Sequence, residues 1–537
     1  MREPDGFLSD RRVVFDLLKT RIDGLDAVLG GGIRYPSDTA AFAFVTGGPG
    51  TGKSLLALEM VTRAWLATEE EATFLYYSVE QTPDNLAMKL KSDFDYFGFD
   101  GEIRMLDREV PNKICLEVTN RAGRARLVIT QALPGDLDSR TVPNAAVDLD
   151  WIVAEIGNYR LTGPIGMVCI DNVGLLLTDV DYFTKRQKLL NTRRILMSHA
   201  IHGIFVQEEA NPRDLRIPSA EEFSTDLLIR LGFEELSGFK ARILEIQKAR
   251  HQYYYRGTHQ FSIAGRDLQR DRYLGARNER GPGIHIYPSV AAQLSIARDH
   301  SEFAVPPRGT EPIDLGHRDL HAAFRNDTGP TAGSSTVLLA EPGTRYTYLA
   351  LRFLMAGRQN GEKTLMVSTR EDPDALARIC QREAALSDCV VNGKFDSDFR
   401  IFFLHPEFIS PGKFTWDLLQ AAGSQDPNGP VRRLAFDNFF RLQDRFPLLA
   451  QESFLMPALL DLLRYLDVTP LFIDLVPPGS ARGGTDFNPG PYLTAFDNVF
   501  HLYVESTGDE PRPFLRVLKS MANDYKPGPM PVDYRSS

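Results

Sequence analysis

Gly47-Gly48-Pro49-Gly50-Thr51-Gly52-Lys53-Ser54 reads G-x-x-x-x-G-K-S, and its flanks restrict what can surround it. Upstream, Ala40 to Thr46 (AAFAFVT) has the composition of a short buried strand. Downstream, Leu55 to Leu66 (LLALEMVTRAWL) has that of a helix that is apolar on most faces. A strand that turns through glycines into a helix opens a β-α-β unit, which commits the strand to a mainly parallel sheet flanked by helices. The glycines let successive N–H groups point into the turn and form an anion nest. Lys53 sets a positive charge where the β- and γ-phosphates of a nucleotide would lie, and Ser54 offers a hydroxyl to Mg²⁺. The loop therefore predicts an ATP site built from Gly47, Gly48, Pro49, Gly50, Thr51, Gly52, Lys53 and Ser54.

The chain carries this pattern twice, and the second copy is altered. Pro49-Gly50-Thr51 has a counterpart in Pro342-Gly343-Thr344, which follows an apolar strand (Thr336 to Ala340) and precedes a helix (Tyr348 to Ala356). YYSVEQTPDNLAMKL (Tyr76 to Leu90) corresponds to MVSTREDPDALARIC (Met366 to Cys380). MVCIDNVGLL (Met167 to Leu176) corresponds to RLAFDNFFRL (Arg433 to Leu442), and FSTDLLIRL (Phe223 to Leu231) to TAFDNVFHL (Thr494 to Leu502). ILEIQKAR (Ile243 to Arg250) corresponds to FLRVLKSM (Phe514 to Met521), and Asp226 precedes Lys248 by the same spacing as Asp497 precedes Lys519. A repeat at this scale predicts two homologous α/β domains, 13–292 and 311–521, after an N-terminal tail (1–12). The linker, 293–310, carries Pro306, Pro307 and Gly309, and the tail, 522–537, is Pro- and Gly-rich and expected to be disordered. The strands bearing the first loop and Asp171 are expected to be central, with their C-terminal ends meeting at the nucleotide.

At 537 residues the chain exceeds one ordinary core, and 43% hydrophobic with 25% charged residues is the composition of a globular protein. No apolar run reaches the ~18 residues of a membrane span, and the N-terminus lacks an apolar signal core, so no membrane partner and a cytoplasmic location are expected. Cys115, Cys169, Cys380 and Cys389 show no paired spacing and read as free thiols. A net charge of −10 argues against a dedicated nucleic-acid coat. Phe239 to Gln260 is basic and contains Tyr253, Tyr254 and Tyr255, which could stack on single strands. It reads rather as a hairpin alternating between core and interface. Glu69, Glu70 and Glu71 read as a solvated helix end, and residues 101–150 suggest a strand at Ala125 to Gln131 but no role.

Beyond the loop, further segments resemble the KaiC-like branch of the RecA-type ATPases, which includes RadA-like proteins. Thr20-Arg21-Ile22-Asp23-Gly24-Leu25-Asp26 with Leu29-Gly30-Gly31-Gly32-Ile33 is similar to that branch's T-G-I-x-G-L-D-x-x-L-G-G-G opening, with Arg21 in place of glycine. Val79-Glu80-Gln81-Thr82-Pro83 resembles its F-E-E-T-P, Glu221-Glu222-Phe223-Ser224-Thr225-Asp226 its E-E-F-x-x-D, and Lys248-Ala249-Arg250 its K-x-R. The resemblance implies tandem RecA-like domains that assemble into a homo-oligomeric ring, usually of six. It implies Glu80 as the group that polarises the attacking water and Asp171 as the Walker B ligand of Mg²⁺ beside Ser54. It also implies Lys53 as the phosphate-binding lysine of the loop, with Lys248 and Arg250 stabilising the γ-phosphate of a neighbouring subunit. Where the family has a second glutamate, this chain has Gln81, which orients water but takes no proton.

The second copy departs at the chemistry. Arg345 stands at the Gly52 position, Tyr346 at Lys53, Thr347 at Ser54, Arg370 at Glu80 and Met521 at Arg250, while Asp437 retains the Asp171 position. This half is expected to hydrolyse nothing and to serve as a ring layer or docking surface. The overall expectation is a Mg²⁺-dependent ATPase that switches or times an unidentified protein partner. A DNA-dependent motor and an ATP-assembled scaffold without turnover stand as alternatives.

Overall fold

The computed structural model describes residues 14–91, 103–110, 113–118, 125–132, 148–177, 180–209, 225–236, 239–264, 283–301, 309–325, 329–404, 410–423, 429–439, 454–478, 492–507, 510–521 and 524–534. Two compact units divide between Pro288 and Ser289. Among the described residues, no helix is long and apolar enough to cross a membrane.

In the first unit a hairpin of β1 (Phe15–Leu18) and β2 (Ile33–Pro36) precedes the main sheet. The strands that follow are β3 (Phe42–Gly47), β4 (Thr73–Ser78), β5 (Ile103–Val110), β6 (Lys113–Val118), β7 (Arg126–Gln131), β8 (Ile165–Asp171) and β9 (His202–Glu208). Then come β10 (Leu227–Leu236), β11 (Phe239–Ala249), β12 (His259–Ala264) and β13 (Gly283–Tyr287). They form one 11-stranded sheet in the order β13-β12-β11-β10-β3-β9-β8-β4-β7-β6-β5. From β10 to β7 the pairing is parallel; the outer strands are antiparallel. β3, β4 and β8 are buried almost throughout, as strands covered by helices on both faces must be. One face carries Val45, Leu56, Met60, Trp65, Tyr76 and Ile229; the other carries Phe42, Phe44, Leu75, Ile170 and Phe205. The predicted strand at 125–131 is β7, and the strands before it extend the sheet beyond β4.

The second unit repeats this order. Its strands are β14 (Thr336–Ala340), β15 (Thr364–Ser368), the short pair β16 (Val390–Val391) and β17 (Lys394–Phe395), β18 (Phe399–Phe403), β19 (Arg433–Phe436), β20 (Thr469–Leu475), β21 (Asn498–Thr507), β22 (Glu510–Ser520) and β23 (Met530–Pro531). The 8-stranded sheet runs β18-β15-β19-β20-β14-β21-β22-β23. Position for position this is β7-β4-β8-β9-β3-β10-β11-β12. The correspondence extends to an irregularity: β10 slips register against β11 between Leu228 and Ile229, and β21 against β22 between Val499 and Phe500. Lys248 pairs with Leu228 and Lys519 with Val499, so the repeat read in the sequence is a repeat in space.

Two boundary expectations need correction. Val290–Asp299, which straddles the expected domain end and linker, is a helix of the second unit, started by Ser289 Oγ accepting from the Ala292 N–H at 3.3 Å. Its Val290 joins that unit's core, and Gln293 Nε2 donates to the Gly412 carbonyl at 2.8 Å. Pro306 and Pro307 lie outside the described residues, as do 1–13. The tail, expected to be disordered, is ordered over 524–534. Lys526 N–H donates to the Ala323 carbonyl, β23 pairs with Phe514 and Leu515, and Val532 is buried. In the first unit Tyr255 N–H makes the same bond to the Val28 carbonyl and β12 pairs with β11 in the same way. The tail is thus the second copy's β12. Pro527, Gly528 and Pro529 obscured it; the strand is only Met530–Pro531, and the buried Val532 follows it.

Candidate nucleotide site

The loop between β3 and the Lys53–Ala67 helix has the backbone its glycines predict. Gly47, Gly50 and Gly52 have φ of 149, 71 and 105°, and Gly52 caps the helix in the left-handed region. At Gly47 a side chain is excluded outright, because a Cβ would lie 2.1 Å from the Leu231 carbonyl oxygen on β10. Thr51 Oγ1 donates to the Gly48 carbonyl at 2.8 Å, and Lys53 Nζ donates to the same carbonyl at 2.7 Å, so the lysine lies along the loop. Lys53 is largely buried. Burial lowers its pKa, against the opposing pull of Glu208, Asp171, Glu80 and Glu209.

At the end of β8, Asp171 is 5% exposed and tightly held: Ser54 Oγ donates to Oδ1 at 3.1 Å and Tyr76 OH to Oδ2 at 2.8 Å. Burial raises its pKa; those two hydrogen bonds oppose the shift, Glu80 adds to it, and Lys53 works against it. Asp171 and Ser54 form an all-oxygen donor set, buried and negative, at the start of a phosphate-loop helix. That chemistry fits Mg²⁺. Glu80 stands exposed just beyond the end of β4, and Asn172 Nδ2 donates to its Oε1 at 3.4 Å. The Asn172 side chain also accepts from the Gly174 N–H at 2.9 Å, which fixes its amide. Thus Gly47 to Ser54, Asp171 and Glu80 lie at the C-terminal ends of β3, β8 and β4, with β9 between β3 and β8.

Lys248 and Arg250 do not join them within the chain. Leu231 of β10 pairs with Gly47, whereas Leu228, the partner of Lys248, pairs with Phe44. That is roughly 10 Å back along the strand at ~3.3 Å per residue. Arg250 lies 3.8 Å from Asp226 Oδ1, and its N–H donates to the Asp226 carbonyl. Of the E-E-F-x-x-D segment, Glu221 to Ser224 lie outside the described residues. Thr225 and Asp226 are buried, and Arg193 pairs with Asp226 at 2.7 Å.

Sequence reading missed Tyr76, Asn172, Lys89, Glu208 and Glu209. Tyr76 looked like strand core, and only the β4–β8 register shows that its hydroxyl reaches Asp171. Asn172, directly after Asp171, was legible by adjacency. The basic segment with three tyrosines is the β11–β12 hairpin, and the rings of Tyr253 and Tyr255 pack edge-on, their centroids 5.5 Å apart at 89°. Tyr255 is buried and Tyr253 is 70% exposed, so they form no common stacking face.

In the second unit the equivalent place is filled by side chains. Arg345 caps the Tyr346–Gln359 helix with φ 53°, the left-handed role of Gly52 in a residue with a Cβ. Its guanidinium pairs with Glu383 and lies 4.8 Å from the Tyr348 ring and 5.2 Å from that of Tyr534, whose hydroxyl bonds to the Thr344 carbonyl. Arg370 Nη1 donates to Tyr346 OH at 3.3 Å. Asp437 is 1% exposed, and neither of its carboxylate oxygens has a hydrogen-bond partner among the described residues. Burial foremost, with Glu371 beside it, pushes its pKa up to about 7.

Residues 18–268 match the family described as "ATPase: KaiC". A UPF0273 protein of Saccharolobus solfataricus is 27% identical over 49% of this chain and 85% of its own length, and one from Methanopyrus kandleri 26% over 49% and 95%. The circadian clock oscillator protein KaiC of a Picosynechococcus species is 23% identical over 67% of this chain but only 59% of its own length.

Proposed function

We propose that the first unit, whose residues 18–268 match the family described as "ATPase: KaiC", hydrolyses ATP with Mg²⁺ at contacts between copies of the chain in a ring. The observation that carries this is a division of the site. Lys53, Ser54, Asp171 and Glu80 gather at one end of the sheet, and the K-x-R pair sits back from its own loop. A cationic pair set back from its own loop supports a role at a neighbour's, as trans-acting cations have in phosphoryl transfer.

In this reading the loop N–H groups and Lys53 bind the phosphates, and Lys53 leaves the Gly48 carbonyl to do so. Ser54 and Asp171 would hold Mg²⁺, which would supply positive charge to the phosphates. Tyr76 orients Asp171, Asn172 orients Glu80, and Glu80 takes the proton of the attacking water. Lys248 and Arg250 of an adjacent copy stabilise charge on the γ-phosphate. The second unit, with Arg345, Tyr346 and Tyr534 across the phosphate position, turns nothing over and serves as a layer of the ring. The nucleotide state then switches or times association with a protein partner.

The test is mass in solution with and without ATP and Mg²⁺, together with phosphate release, for wild type and Lys53→Ala, each repeated with single-stranded DNA. ATP-dependent assembly with slow turnover, both lost in Lys53→Ala, is expected. A monomer under every condition refutes the ring, DNA-stimulated turnover favours a motor, and assembly without phosphate release favours a scaffold.

A further inference from the structure

Gln81, the position where this chain departs from the double glutamate, is held by a neighbour. Lys89 Nζ donates to Gln81 Oε1 at 2.6 Å. An ammonium has only donors, so the amide must turn its carbonyl to the lysine, which aims the –NH₂ end away from it as a donor. The backbone is fixed as well, because Gln81 N–H donates to Ser78 Oγ at 3.0 Å, in the last residue of β4. Lys89 lies near the end of the Pro83–Lys91 helix and is half-buried. Burial lowers its pKa while the Asp171 carboxylate opposes that shift, so the ammonium stands in the field of the Walker B aspartate.

The second unit carries a charged group at this position. There Glu371 takes the place of Gln81, and its charge acts on Asp437, the Walker B equivalent. The same alignment puts Ile379 at Lys89 and Arg370 at Glu80. Each unit carries one acid, one cation and one neutral group over these three positions, in a different order. In the first unit the acid is at the strand end and the cation on the helix, with the amide between.

Resting on the hydrolysis reading above, we propose that Lys89 is a positioning residue that locks Gln81 as a hydrogen-bond donor to the attacking water beside Glu80. In the step it serves, the water oxygen bonds to the γ-phosphorus as the bond from that phosphorus to the β–γ bridging oxygen breaks. The electron pair of that bond leaves on ADP, and the water's proton passes to Glu80. Gln81 Nε2–H donates to the lone pair of the water that does not attack, and so aims the other. A glutamate here could only accept and would turn the water differently.

The experiment is a double-mutant cycle on the full chain: Lys89→Met, Gln81→Ala and both together, with Lys89→Arg as the conservative control. It reads steady-state phosphate release against ATP concentration, binding of a fluorescent ATP analogue, and thermal melting. Lys89→Met is expected to lower kcat about 10-fold or more with KM and analogue affinity nearly unchanged. Lys89→Arg should restore most of the rate, and Lys89→Met should cost little further in the Gln81→Ala background. Equal losses in both backgrounds, or a loss of rate matched by a loss of affinity, overturn the role given to Lys89 and leave the hydrolysis reading intact. A wild-type chain that binds the analogue but releases no phosphate overturns both. Melting separates a misfolded Lys89→Met from a misaligned one, and Lys89→Arg decides where melting shifts.

Discussion

Replacing Asp437 by asparagine is expected to make the second unit more stable at pH 8 than the wild type, although the residue is deep in the core. The wild-type carboxyl is buried with no hydrogen-bond donor, beside Glu371, and its pKa rises from 3.8 to about 7. Between those values the folded state holds a proton that the unfolded state has released. The stability this provides is fully present below the unfolded pKa and is lost as pH rises through the folded one. Taken from pH 5 to pH 8, a shift of this size removes about 2.5 kcal/mol, at about 1.4 kcal/mol per pKa unit. Asparagine is nearly the shape of the protonated acid and cannot ionise. Wild type and Asp437→Asn should therefore unfold alike near pH 5 and diverge by about 2 kcal/mol in the variant's favour at pH 8. Equilibrium urea unfolding of the full chain, fitted for the two units, measures the difference. Parallel pH profiles for the two proteins, or a variant less stable at pH 8, would refute the reasoning.

Three further outcomes follow from particular contacts. Gly47→Ala should lose nucleotide binding and destabilise the first unit by roughly 2–4 kcal/mol, because the added Cβ meets the Leu231 carbonyl at 2.1 Å; a fluorescent-nucleotide titration and a melt check both. Tyr76→Phe leaves Asp171 Oδ2 without its 2.8 Å donor in a buried site and should cost roughly 1–3 kcal/mol, measured by urea unfolding, with no loss if the hydroxyl is incidental. Ending the chain after Met521 removes β23 and uncovers the edge of β22, so calorimetry should show the second unit melting several degrees lower; an unchanged transition would mean that the segment adds nothing.

The loop, its flanking strand and helix, Asp171, and the duplicated order of elements were legible because each rests on local pattern: a glycine turn with one backbone solution, apolar runs of strand length, and aspartates closing them. What was not legible depends on register between distant segments. Nothing in the YYS of β4 says that one tyrosine points at a carboxylate; that follows from Tyr76 lying opposite Cys169 across β4 and β8. The Lys89–Gln81 bond needs the pitch of a helix whose exit from β4 the sequence does not specify. The C-terminal strand is not legible locally because its two residues, Met530 and Pro531, follow Pro527, Gly528 and Pro529 and are too few to show alternation, although comparison with the first copy's own β11–β12 hairpin predicts it.

The slipped register shared by β10–β11 and β21–β22 bears on how the two halves came to differ. An extra residue on one strand turns every later side chain to the opposite face, so this irregularity decides which way Lys248 and Lys519 look. The second copy has exchanged its loop lysine, its strand-end acid and the arginine of its K-x-R, yet retains the slip and the lysine after it. Those exchanges are single side chains, each reversible by one codon, whereas removing the slip would rotate a whole strand and unseat its core contacts. The frame of such a unit is therefore far harder to change than the side chains at its loop, so two copies keep one architecture while carrying different groups there.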